Sequence, residues 1–225
     1  MTGEDAIRAV VFDFDGVIAD SEPAHEASIL EAVAGLGMSF SHEQYVGTII
    51  GFDDRDAFAA IVSMHGRGLS ADDLARLTVD KQRAFESAVT AGAVGRFPGA
   101  VELAEGLSGS VPVGICSGAI RSEIDLILAA FGASGVFPEI VTADDVARSK
   151  PDPAGYLLAA DRLGVSPAQC AAIEDTPTGI DAARDAGYGR VIAVEHSFGA
   201  EPLGRADLIV GRIAELTPET VLNAG

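Results

Sequence analysis

From about Phe97 onward, short runs rich in Val, Ile and Ala alternate with segments whose apolar residues recur at helical spacing, such as Val101 to Leu107 and Ser122 to Phe131. Runs such as Val113-Gly114-Ile115-Cys116 and Ala171-Ala172-Ile173 are apolar at every position, the mark of a buried strand in a parallel sheet. Between about Ser21 and Ala91 the pattern is largely helical instead. A further apolar run, Ala9-Val10-Val11-Phe12, precedes that helical stretch and belongs with the later strands. The pattern predicts an α/β protein with a doubly wound parallel sheet built from residues 1–18 and 93–225. An all-helical insertion over 19–92 follows the first strand and rejoins the core through the glycine-rich stretch from Gly92 to Gly99, as a hinged lid would. The chain carries no internal repeat and no low-complexity segment.

Within the insertion, helix starts are marked by Ser21 with Pro23 in the first turn, by a capping box from Ser41 to Gln44, and by Asp53 and Ser70. Helical spacing places His25 on a stripe with Ile29, Ala32 and Leu36, and Arg55 with Phe58 and Val62. Lys81 falls with Leu74, Leu77, Phe85 and Ala88. A single basic residue on an apolar face is ordinarily a snorkelling edge residue. Three of them in one small, very acidic protein are harder to assign to that role.

The candidate chemistry lies where the strands end. Ala9–Phe12 runs directly into Asp13-Phe14-Asp15-Gly16, two carboxylates two residues apart and then a glycine. Alone, this fits a strand with an Asp-Gly turn as well as it fits a site. The strand Val113–Cys116 ends in Ser117-Gly118, a hydroxyl and a glycine amide suited to an oxyanion. Lys150 is fixed in Ser149-Lys150-Pro151-Asp152-Pro153, a stiff turn that presents a point charge. Ala171-Ala172-Ile173 ends in Glu174-Asp175-Thr176-Pro177-Thr178-Gly179, again paired acids and a glycine. In an open parallel sheet such tips are where ligands bind, and adjacent acids there suit a divalent cation.

The ordered set, Asp13-Phe14-Asp15-Gly16-Val17, Ser117, Lys150 within Lys-Pro-Asp-Pro, and Glu174 through Ile180, resembles the haloacid dehalogenase superfamily. The branch it resembles is that of the β-phosphoglucomutase-like phosphatases and phosphomutases, over essentially the whole chain. The resemblance implies a Rossmann-like core with a helical cap over the active site, and an aspartyl-phosphate formed on Asp13. It makes Asp15 the general acid and then the general base. Mg2+ is expected on the Asp13 carboxylate, the Asp15 backbone carbonyl and Asp175, with Glu174 either a ligand or one shell out. Ser117, the Gly118 amide and Lys150 would hold the phosphoryl oxygens. The family also places a histidine, an arginine and a lysine of the cap near the substrate, at the positions of His25, Arg55 and Lys81. The loop before Arg55 is one residue longer than in the phosphoglucomutases.

The expected activity is a Mg2+-dependent phosphatase of a small, sugar-phosphate-like metabolite, the substrate being a phosphate ester. The alternative is a β-phosphoglucomutase-type sugar phosphomutase, with Ser21 and His25 at the cap positions that time the acid-base step in those enzymes. Asp15 and the Glu174-Asp175 pair argue against a metal-free dehalogenase. A phosphonatase would need Lys81 as a Schiff-base lysine, and a purely binding role would leave intact catalytic motifs without use.

Charge and composition narrow the partners. The formal charge of −19 and pI near 4.3 leave no basic patch for nucleic acid or an anionic membrane. No apolar run is long enough to span a bilayer, and the start, Met1 to Asp5, is acidic where a secretory signal is basic, so a cytoplasmic protein is expected. Cys116 and Cys170 fall in or beside predicted strands, which the family order places on either side of the first one; they are expected to be reduced and unpaired. A monomer or weak homodimer is expected. For an anionic substrate the strong negative charge poses a problem: cations must be concentrated locally, or a metal must supply them.

Overall fold

The computed structural model describes residues 6–50, 52 and 54–223. The acidic start, Asp53 as a helix cap and the Gly51 end of the Arg55 loop lie outside the described residues. Contacts divide the chain into two compact units, Ser21–Gly95 and the chain on either side of it.

The first unit is built on β1 (Ala9–Phe12), β4 (Val113–Cys116), β5 (Glu139–Val141), β6 (Cys170–Glu174), β7 (Arg190–Val194) and β8 (Leu208–Val210). Two-residue strands β2 (Ala19–Asp20) and β3 (Gly95–Arg96) flank the excursion into the second unit. The six-stranded sheet is parallel throughout and runs β5-β4-β1-β6-β7-β8. Helices α5 (Ala100–Ser108), α6 (Arg121–Ala130), α7 (Ala154–Arg162), α8 (Pro177–Asp185) and α9 (Pro218–Leu222) complete the layers. Every residue of β1, β4, β6 and β7 is buried, whereas β8 at the edge is half-buried. That is why the inner strands read as unbroken apolar runs: helices cover both faces of a doubly wound sheet.

The order of the strands fixes the site. After β1 the chain steps outward to β4 and β5, then returns to the other side of β1 for β6, β7 and β8. The loops after β1 and β6 therefore depart in opposite directions and open a crevice at the strand ends. Register sets Phe12 beside both Ile115 and Ile173, so Asp13, Ser117 and Glu174 leave their strands at nearly the same level. Asp13 N extends the ladder by donating to Ile173 O at 2.9 Å. Where the chain leaves for the second unit and comes back, Phe97 N donates to Ile18 O at 3.0 Å.

The second unit contains α1 (Glu22–Ala34), α2 (His42–Gln44) running into a π-helical turn (Tyr45–Ile49), α3 (Asp54–Met64) and α4 (Ala71–Thr90). Its boundaries, Ser21–Gly95, compare with the 19–92 read from the sequence. It has its own core, with Ile29, Val33, Phe58, Ile61 and Leu77 all buried. The Ser41–Gln44 capping box forms both of its bonds, and Ser70 accepts from Asp73 N at 3.1 Å. Ser21 occupies the α1 N-cap with Pro23 in the first turn, but its side chain does not make the cap bond. Among the described residues, no helix is long and apolar enough to cross a membrane.

Candidate active site

Lys150 joins the tips of β1 and β6. Its Nζ donates to Asp13 Oδ1 at 2.6 Å and to Glu174 Oε1 at 2.6 Å, and stands 5.1 Å from the centre of the Tyr156 ring. Asp13, Glu174 and Asp175 are buried, and one carboxylate oxygen from each lies within 4.8 Å of the others. Ser117 sits on the other side of β1, its Oγ 3.5 Å from Asp15 Oδ2 and accepting from Ala119 N at 3.0 Å. Gly118 is exposed beside it, with open space where a side chain would stand. The structure thus brings Asp13, Asp15, Ser117, Gly118, Lys150, Glu174 and Asp175 to one end of the sheet.

Glu174 is fully engaged. Besides Lys150, Oε1 accepts from the Tyr156 hydroxyl at 2.8 Å. Oε2 accepts from Asp175 N, Thr176 N and Thr176 Oγ1 at 3.1 to 3.3 Å, at the start of α8. A carboxylate is well placed against helix N–H groups. A Cβ on Gly179 would overlap this carboxylate, so only glycine lets α8 begin so close to it. Asp175 is bonded differently: Oδ2 accepts from Ser197 Oγ, while buried Oδ1 has no protein partner.

The electrostatics carry an unbalanced negative charge. Burial, then the Glu174 charge, pushes the Asp13 carboxyl up to about 7, although Lys150 and its hydrogen bond pull the other way. Burial and the charges of Asp13 and Glu174 likewise hold Asp175 well above the usual carboxylate range. Burial opposes the Lys150 charge, but Asp13 and Glu174 outweigh it and keep this ammonium protonated well beyond the ordinary lysine range. One ammonium facing three buried carboxylates leaves a deficit that a divalent cation would fill. The orphaned Asp175 Oδ1 is the oxygen such an ion needs, and an all-oxygen donor set suits Mg2+.

A pH dependence of stability follows with a definite sign. Between about 3.8, the ordinary Asp value, and about 7, the folded protein retains a proton at Asp13 that the unfolded chain has released. Stability of metal-free protein is therefore expected to fall as pH rises through that window, by on the order of a few kcal/mol. Asp175 acts in the same direction. His196, whose pKa burial lowers, acts in the opposite one. Thermal melts in chelator from pH 5 to 8 check this, and Asp13→Asn should flatten the slope; equal slopes in both proteins would contradict it.

In the second unit His25 stacks on Phe85, with ring centroids 4.2 Å apart and 17° between planes. Lys81 is buried over the same ring, its Nζ 3.2 Å from Asp54 Oδ1. Arg55 is exposed in the first turn of α3, whose buried face begins at Ala57 and Phe58. Thus the apolar stripe on which helical spacing put Arg55 does not enclose it, and the Lys81 charge already has a carboxylate partner. Cys116 and Cys170 are free and lie on the strands either side of β1, and burial pushes the Cys116 thiol up to about 12.

Two contacts escaped the sequence reading. Tyr156 reads as a core aromatic of α7, and its position beside Glu174 depends on how α7 packs across β1, β4 and β5. Ser197 lies in a loop without a motif; the clue was that β7 neighbours β6, so polar residues at its tip adjoin Asp175.

A doubly wound sheet whose switch point carries a lysine, a hydroxyl and clustered carboxylates defines a class of hydrolytic α/β enzymes built for an anionic, electrophilic group. Residues 7–187 match the haloacid dehalogenase-like hydrolase family, and the chain belongs to it. Protein CbbY of Rhodobacter capsulatus is 30% identical over 207 residues, covering 89% of this chain and 91% of that protein. Fructose-1-phosphate phosphatase YqaB of Escherichia coli K12 is 31% identical over 182 residues, covering 81% and 94%. Among solved structures, CbbY from Rhodobacter sphaeroides in complex with phosphate superposes with a TM-score of 0.83 at 28% identity, covering 93% of this chain and 96% of that one.

Proposed function

We propose that the protein is a Mg2+-dependent phosphatase of a small, sugar-phosphate-like metabolite, working through an aspartyl-phosphate on Asp13. The observation that carries this reading is Lys150 bridging Asp13 and Glu174 beside an Asp175 oxygen that has no partner. The substrate class is supported by the fructose-1-phosphate phosphatase relative.

A phosphate monoester dianion repels a carboxylate nucleophile, so the site has to neutralise charge and hold the attack in line. Lys150 screens Asp13 from the phosphoryl oxygens, and Ser117 and the Gly118 amide bind those oxygens from the β4 side. Asp13 attacks phosphorus while Asp15 gives its proton to the departing alcohol oxygen. Asp15, now a carboxylate, takes a proton from the water that attacks the aspartyl-phosphate, releasing phosphate and restoring Asp13. Mg2+ would be held by Asp13, the Asp15 carbonyl and Asp175, and would supply charge neutralisation of the phosphoryl oxygens. Glu174, with both oxygens bonded to protein donors, acts outside the metal and aims Lys150. The helical unit would serve as the cap, with His25 and Arg55 as its substrate-facing polar groups; Lys81 tethers α4 to Asp54.

The test is a panel of phosphorylated sugars, polyols and nucleotides with Mg2+, assaying released phosphate and isomerised sugar phosphate in the same samples. Phosphate release from a sugar phosphate is expected. Isomerisation without net release would establish a phosphomutase instead, and no turnover of any ester would end the catalytic reading.

A further inference from the structure

The loop after β7 meets the site at two points. Ser197 Oγ donates to Asp175 Oδ2. Next to it, His196 Nδ1 is 2.7 Å from Gly16 O, and its Nε2 accepts from Ile213 N at 3.4 Å. A carbonyl can only accept and a backbone N–H can only donate, so these partners fix a neutral imidazole with its proton on Nδ1. The ring also stacks on Phe97, centroids 3.9 Å apart. Gly16, at φ +81°, packs where a Cβ would overlap the Asp175 carboxylate and crowd Ser197 Oγ. The β7 loop, the turn after Asp15 and Asp175 thus form a single knot.

Within that knot the two oxygens of Asp175 differ. Oδ2 is fixed by Ser197, and Oδ1 is buried without a protein partner, on a carboxylate that clusters with those of Asp13 and Glu174. A free carboxylate could rotate to chelate through either oxygen or turn toward its neighbours. We propose that Ser197 is a positioning residue for the divalent cation: its hydroxyl locks Asp175 as a one-oxygen ligand through Oδ1. This rests on the reading of Asp175 as a metal ligand. Groups that orient a metal ligand from behind set affinity, typically by ten- to a hundredfold.

The experiment titrates Mn2+, standing in for Mg2+, into metal-free wild type, Ser197→Ala, Ser197→Thr and Asp175→Asn, counting free ion by its EPR signal and recording each melting temperature. Ser197 is exposed in its loop, so the alanine variant should fold. The expected result is a Kd raised about tenfold or more in Ser197→Ala. Ser197→Thr, which keeps the hydroxyl, should stay within about threefold of wild type. Binding in Ser197→Ala within about twofold of wild type, while Asp175→Asn loses the metal, would overturn the assignment of Ser197 and leave the metal site standing. Unchanged binding in Asp175→Asn would instead remove Asp175 from the ligand set, and this inference with it.

Discussion

Replacing Asp13 by Asn is expected to lower phosphate release by at least about 10⁴-fold while leaving the fold intact. The amide has nearly the same size, its oxygen can still accept from Lys150, and the backbone bond to Ile173 O is untouched, but the amide cannot attack phosphorus. It also removes one of three crowded carboxylates, so the metal-free variant should melt no lower than wild type at pH 8, where Asp13 would otherwise be ionised in a site that resists its charge. Activity and melting should therefore move independently. Released phosphate and thermal melts of the same preparation read both, and turnover above about a tenth of wild type would remove Asp13 as nucleophile.

Lys150→Ala should do damage twice over. In catalysis the phosphoryl dianion and Asp13 lose the charge that separates them, a loss on the order of 4 kcal/mol in transition-state stabilisation, or about a thousandfold in kcat/KM. In stability, Asp13 and Glu174 lose their shared ammonium while remaining buried, which costs about 3–5 kcal/mol when a buried pair is broken. Protonating the carboxylates relieves that cost, so the variant should be closer to wild type at pH 5 than at pH 8. A loss of kcat/KM below about tenfold would make Lys150 a structural cation only.

Most of the site was legible in the sequence because its groups stand at the first residues beyond apolar strands. Asp13 follows Phe12, Ser117 follows Cys116, and Glu174 closes its own strand, so recognising the strands places them at one end of a parallel sheet. What could not be read was orientation. Whether Glu174 faces a metal or Lys150 depends on the Tyr156 hydroxyl and on the α8 amides, which come together only when three separate segments pack. Periodicity likewise located His25 and Lys81, which share Phe85. Periodicity also put Arg55 in line with Phe58 and Val62, which are buried, while Arg55 itself is exposed ahead of them because a helical stripe does not say where along the helix the packed core begins.

The bond from Phe97 to Ile18 has an evolutionary corollary. The excursion from Ser21 to Gly95 hangs from two neighbouring points and interrupts none of the six paired strands. Closely spaced ends make an inserted segment thermodynamically tolerable, because the cost of closing it grows only slowly with its length. The excursion can therefore be lengthened, shortened or exchanged as a cassette by recombination without touching the strands that carry the carboxylates or the turn that carries the lysine.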